Sequence, residues 1–157
     1  MAKYYRRRFY KKRKYNIENR AISFRTPTTT ENGYYQNSVQ IVPATATEGV
    51  RQVTRFTISL TNKADGNYQM YSIFWALVYI PEGAVTSALF PGNGSSLFQP
   101  SNYVLASGVN DPNAGPIRIS TKIRKNLNAN DQIYLITASG NADADFIGLV
   151  RYAISYN

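Results

Sequence analysis

Eight short β-prone runs, each closed by turn chemistry, leave an all-β body as the fold this chain is suited to adopt. The runs are Arg20–Arg25, Ser38–Ala44, Val50–Thr61, Met70–Ile80, Asn102–Ser107, Pro116–Arg124, Gln132–Ser139 and Phe146–Tyr156. Glu31-Asn32-Gly33, Asp65-Gly66-Asn67 and Pro81-Glu82-Gly83 are turn sequences between them. Asp111-Pro112-Asn113-Ala114-Gly115-Pro116 reads as a non-helical loop, because each proline disfavours helix in the residue before it. The longest connection is expected over Pro81–Ser101, where Pro91, Gly92 and Gly94 interrupt any helix begun at Ala84. No window carries a sustained helical period.

Alternation assigns the faces. In the sixth run Ile117, Ile119 and Ile123 share one side, opposite Arg118, Ser120, Lys122 and Arg124. In the third, Phe56, Ile58 and Leu60 share a side, opposite Arg51, Arg55, Thr57 and Ser59. The fourth differs: Ile73, Trp75, Leu77 and Tyr79 lie on one side, Phe74, Ala76, Val78 and Ile80 on the other, so both faces are apolar. One face suits a core; the other needs a covering loop, the N-terminal arm or a neighbouring subunit. Trp75, mid-run in this most apolar segment, is expected to be largely buried. Eight strands in two sheets is the number of a jelly roll. The sequence therefore predicts an eight-stranded antiparallel jelly-roll β-sandwich over residues 20–157, preceded by a disordered basic arm, residues 1–19.

Charge is also divided unevenly along the chain. Its 157 residues carry net charge +9. Residues 1–25 hold ten basic side chains and one acidic one, whereas residues 26–157 hold eight of each. All the net charge thus belongs to a short arm on a neutral body, a pattern suited to a polyanionic partner. Within the arm seven cations (Arg6, Arg7, Arg8, Lys11, Lys12, Arg13, Lys14) are interleaved with five aromatics (Tyr4, Tyr5, Phe9, Tyr10, Tyr15). The cations neutralise phosphates and release counterions. The aromatics stack on exposed bases, which favours single-stranded over duplex nucleic acid. The same cations suit a host nuclear import receptor. On the strands, Arg51, Arg55, Arg118, Lys122 and Arg124 are read as a solvated face or salt-bridge partners, with a second nucleic-acid surface as the other reading.

Catalytic and metal chemistry find little support. The chain has neither histidine nor cysteine, which removes the commonest general base, the commonest metal ligand and any disulfide framework. Asp143 and Asp145 offer two oxygen ligands in a loop, too few for a calcium site. No metal, cofactor or enzyme activity is expected. The longest apolar run, Ile73 to Ile80, is of strand length, so no membrane insertion is expected either.

Several weak motifs occur in a fixed order: Phe74-Trp75-Ala76-Leu77-Val78-Tyr79-Ile80-Pro81-Glu82-Gly83, then Leu97-Phe98-Gln99-Pro100-Ser101-Asn102-Tyr103-Val104-Leu105-Ala106-Ser107-Gly108, then Ile117-Arg118-Ile119-Ser120, then Arg124-Lys125-Asn126-Leu127-Asn128-Ala129-Asn130-Asp131-Gln132-Ile133-Tyr134-Leu135. Over about residues 70–137, and in its basic aromatic start, the chain resembles the coat proteins of small circular single-stranded DNA viruses, the circovirus-like and nanovirus-like groups. The resemblance implies a jelly roll, a sixty-copy icosahedral shell built from the chain itself, and an inward arm that packages circular single-stranded DNA. It implies a location in the virion, with passage through the host nucleus during assembly. The chain is short for circoviruses, which implies that large surface loops are missing. The alternative from the residues alone is a cellular nucleic-acid-binding protein with a β-barrel body; such a body usually carries cations of its own, and this one sums to zero.

Overall fold

The computed structural model describes residues 14–26, 35–46, 49–63, 71–86, 103–140 and 144–156. These contain eight strands: β1 (Asn16–Arg25), β2 (Tyr35–Val42), β3 (Arg51–Asn62), β4 (Ile73–Ile80), β5 (Val104–Asn110), β6 (Ile117–Leu127), β7 (Gln132–Ser139) and β8 (Asp145–Tyr156). Each matches one predicted run, with ends moved by a few residues. β1 begins at Asn16 rather than Arg20, because Asn16 to Asn19 pair with Ile154 to Arg151 of β8. Four residues assigned to the arm therefore belong to the sheet. Residues 112–114 form one 3-10 turn where the sequence predicts a non-helical loop. Its proline occupies the first turn, where no N–H is needed, and the Asp111 carboxylate accepts from Asn113 N.

Two four-stranded antiparallel sheets result, in the orders β1-β8-β3-β6 and β2-β7-β4-β5. They are stacked as a β-sandwich. The core between them joins Phe56, Ile58, Leu60, Ile119, Phe146 and Val150 of the first sheet to Ile41, Leu77, Ile133 and Leu135 of the second. All ten are at most 1% exposed; burying each such side chain contributes about 1.5–3 kcal/mol. The rings of Phe24 and Phe146 stack at 5.1 Å, and those of Phe56 and Tyr152 at 5.7 Å.

The second apolar face of β4 is buried within one chain. Ala76, Val78 and Ile80 form a separate cluster with Ile136 and Ala138 of β7, bordered by Phe74, Ala84, Tyr103, Val104 and Tyr134. Trp75 is partly buried and packs against the main core, with its Nε1 donating to Asn110 Oδ1 at 2.7 Å. The centre of the long predicted connection, 87–102, lies outside the described residues.

Arg51 corrects the alternation read from β3. It is 3% exposed and points inward with Val53, Phe56 and Ile58. The cause is a bulge at Arg55, a non-glycine residue with φ 58°. The register slips here against both neighbours, between Thr54 and Phe56 on the β6 side and between Thr54 and Thr57 on the β8 side. Against β8 the extra residue lies in β3, and against β6 it lies in β6; a slip of one residue exchanges the faces of β3 on either side of it. Buried Arg51 donates to the carbonyls of Pro43 (2.9 Å) and Asp131 (2.8 Å).

Asp131, also 3% exposed, ties the β6–β7 turn to the end of β4. Its carboxylate accepts from Tyr79 Oη (2.9 Å), Glu82 N (3.1 Å) and Asn128 N (2.8 Å). Asn130 turns the chain with φ 59°, a left-handed conformation that asparagine tolerates. Lys125 Nζ lies 3.8 Å from the centroid of the Tyr79 ring. Burial, then the bond to Asp131, pushes the Tyr79 phenol up to about 12. Burial likewise raises Tyr152, with Glu18 adding to the shift and Arg20 opposing it.

Candidate nucleic-acid interface

Of the twelve arm residues singled out for nucleic-acid binding, Tyr4, Tyr5, Arg6, Arg7, Arg8, Phe9, Tyr10, Lys11, Lys12 and Arg13 lie outside the described residues. Lys14 and Tyr15 are described, and both are exposed. Tyr15 Oη donates to Gln52 Oε1 at 2.6 Å. Gln52 Nε2 in turn donates to Asn126 Oδ1 at 2.7 Å. The base of the arm is thereby fastened across β3 and β6, on the outer face of the first sheet.

A cleft of about 370 Å³ opens there, lined by Tyr15, Thr54, Arg55, Lys122, Arg124 and Ala153. The β3 bulge shapes it. Thr54 and Arg55 are consecutive, yet both line the outer side, which regular alternation forbids. Lys122 and Arg124 are alternate residues of β6 and share its outer side, about 7 Å apart along the strand.

The cations continue beyond the cleft. Arg118, paired with Ser59, and Arg151, paired with Thr57, lie on the same outer face. Arg55, Arg118, Lys122, Arg124 and Arg151 are all exposed, and among the described residues none of the five enters an ion pair. At the far end of the sheet Arg25 does pair with Asp145, at 3.7 Å. Asp143, the other carboxylate weighed for calcium, lies outside the described residues.

No protein-family model matches the chain, and no curated protein matches it.

Four of the five strand-face cations named from the sequence are brought onto one surface, and Arg51 is withdrawn into the interior by the bulge. Sequence reasoning missed two contributors. Arg151 was legible from the alternation of β8, where Phe146, Val150 and Tyr152 face inward and Arg151 outward. The fastening of Tyr15 to Gln52 joins residues 37 apart in sequence, and no local signal reports it. Among the described residues no three potential metal-binding side chains converge, and no helix is long and apolar enough to cross a membrane.

Proposed function

We infer that this chain is the coat protein of a small single-stranded DNA virus, which assembles with copies of itself into a sixty-subunit icosahedral shell and packages circular DNA through its basic arm. The observation that carries the reading is the strand order, β1-β8-β3-β6 facing β2-β7-β4-β5. In it the first and last strands are neighbours, and consecutive strands, β4 and β5 excepted, alternate between the two sheets, so that strands distant in sequence pair within each. Such an order supports reading the sandwich as a jelly roll, two Greek keys folded on each other. Support from charge is independent: the seven cations and five aromatics of residues 4–15 form a sequence-tolerant single-strand ligand. The base of that segment is held on a sheet face that is itself basic.

A nucleic-acid-binding protein that does not assemble is the second reading, favoured by the cations on the folded body. Sedimentation separates the two. The coat-protein reading expects a uniform particle of megadalton size, round by electron microscopy and containing nuclease-resistant single-stranded DNA when recovered from infected cells. A stable 17.6 kDa monomer across concentration, salt and added DNA would overturn it.

A further inference from the structure

We propose that the folded body holds single-stranded nucleic acid by itself, in the cleft between Tyr15 and the cations Arg55, Lys122 and Arg124, as a site distinct from the arm. The inference rests on the reading of the chain as a nucleic-acid-packaging protein and adds a second, ordered site to it.

Sign is the first argument. Arg55, Arg118, Lys122, Arg124 and Arg151 share one sheet face, all exposed, with no ion pair among the described residues. From the start of β1 onward, residues 16–157 carry a net charge of only +1, so this face is a local concentration of one charge rather than a sample of the average surface. Gathering like charges costs self-repulsion, which a polyanion relieves.

Backbone conformation is the second. Arg55 takes φ 58°, a region that a long side chain seldom occupies. Strain of this kind persists where the surroundings enforce it, and it clusters at ligand sites. Here its result is specific: Arg55 is turned outward beside Thr54, into the wall facing Lys122 and Arg124.

Shape and chemistry select the ligand. A cleft of about 370 Å³ is of nucleotide size and cannot admit a duplex. Lys122 and Arg124, about 7 Å apart, are placed to meet separate phosphates of an extended strand. Tyr15 is held by its hydroxyl on Gln52 and keeps 36% of its surface exposed, which leaves ring area for stacking against a base. A strand seated here is also next to Lys14, the last cation of the arm, so the two sites are contiguous along the chain.

The test uses the full-length protein and a fluorescent oligothymidylate, with affinity measured across salt concentrations and assembly state monitored by light scattering. The combined variant R55Q, K122Q and R124Q removes three cations from the cleft. The comparator R20Q with K63Q removes two exposed cations outside it. With about 0.7 of salt slope per phosphate contact on a single strand, the triple variant should lose about two units of slope and bind at least tenfold more weakly at low salt. The comparator should lose less than half a unit. Circular dichroism should match wild type for both, since all five residues are exposed. A triple variant with wild-type slope and affinity overturns the cleft and leaves the arm standing. An equal loss per charge in the comparator also overturns it, because net charge would then suffice, as does an equal loss of affinity for duplex. If the wild-type chain binds no oligonucleotide, the packaging reading and the cleft fall together.

Discussion

Trp75 lies against Gly108 on the neighbouring strand, so closely that a Cβ on that glycine would be 2.6 Å from Trp75 Cζ2 and 2.9 Å from Cε2. The two are register partners in the β4–β5 ladder, and the indole Nε1 is held by Asn110 at 2.7 Å. Gly108 is thus needed for space: the ring supplies the packing that the glycine lacks. Gly108→Ala should push the indole from its place and lower stability by about 1–3 kcal/mol. Urea denaturation measures the loss, and Trp75, the sole tryptophan, reports the displacement as a shift in its fluorescence. An unchanged midpoint and spectrum would show that the ring is not fixed on Gly108.

Asp131 should be costly to truncate. Its carboxylate serves one phenol and two backbone N–H groups, and the residue is 3% exposed. Asp131→Ala leaves those donors without a partner, at about 1–3 kcal/mol for each one that stays buried. Asp131→Asn keeps an acceptor oxygen but brings two N–H donors of its own, so it should recover only part of the loss. Chemical denaturation of the two variants checks the order, wild type above Asn above Ala.

The Tyr79 phenol should make stability fall with rising pH on the alkaline side. Its folded value is about 12, against about 10 in an unfolded chain. The folded state therefore holds its proton longer, and the stability due to the neutral phenol is complete below pH 10. It declines as pH rises from about 10 to about 12, because the unfolded state gains by releasing the proton first. Tyr152, raised in the same direction, adds a decline of the same sign. Urea midpoints for Tyr79→Phe should fall less steeply than those of wild type over this interval. Parallel curves would contradict the assignment.

Removing the arm should separate folding from packaging. Tyr15 is fastened to Gln52, and pairing of β1 starts at Asn16, so the cut should end at residue 13. Deletion of residues 2–13 is expected to preserve the β-sheet circular dichroism and to leave particles, where they form, depleted of nucleic acid. Loss of the fold, or normal nucleic-acid content, would refute the division of labour.

Assembly and binding should assist each other. Under the coat-protein reading a single arm, with seven cations in its dense run, should bind weakly, and many arms tethered in one shell should gain avidity without new contacts. Reciprocal linkage then requires nucleic acid to favour assembly. Single-stranded DNA should lower the subunit concentration at which particles appear at low salt, and high salt should weaken the effect by screening the arms. Light scattering during titration with and without DNA, at two salt concentrations, reads both shifts.

The amino-acid sequence alone was enough for the eight strands and for most of their inward faces, because both depend on neighbours two residues apart. Ile117 and Ile119 inward, with Arg118 and Lys122 outward, needed nothing more than alternation. The concentration of cations toward the N-terminal end was legible from composition alone. Tertiary structure alone decided which strands became neighbours, since pairs such as β1 with β8 join the two ends of the chain. It also decided the fate of Arg51. The bulge is set by how β3 fits β6 and β8 together, so the slip is invisible in β3 taken alone, yet it turns one arginine into the interior and sets another against the base of the arm.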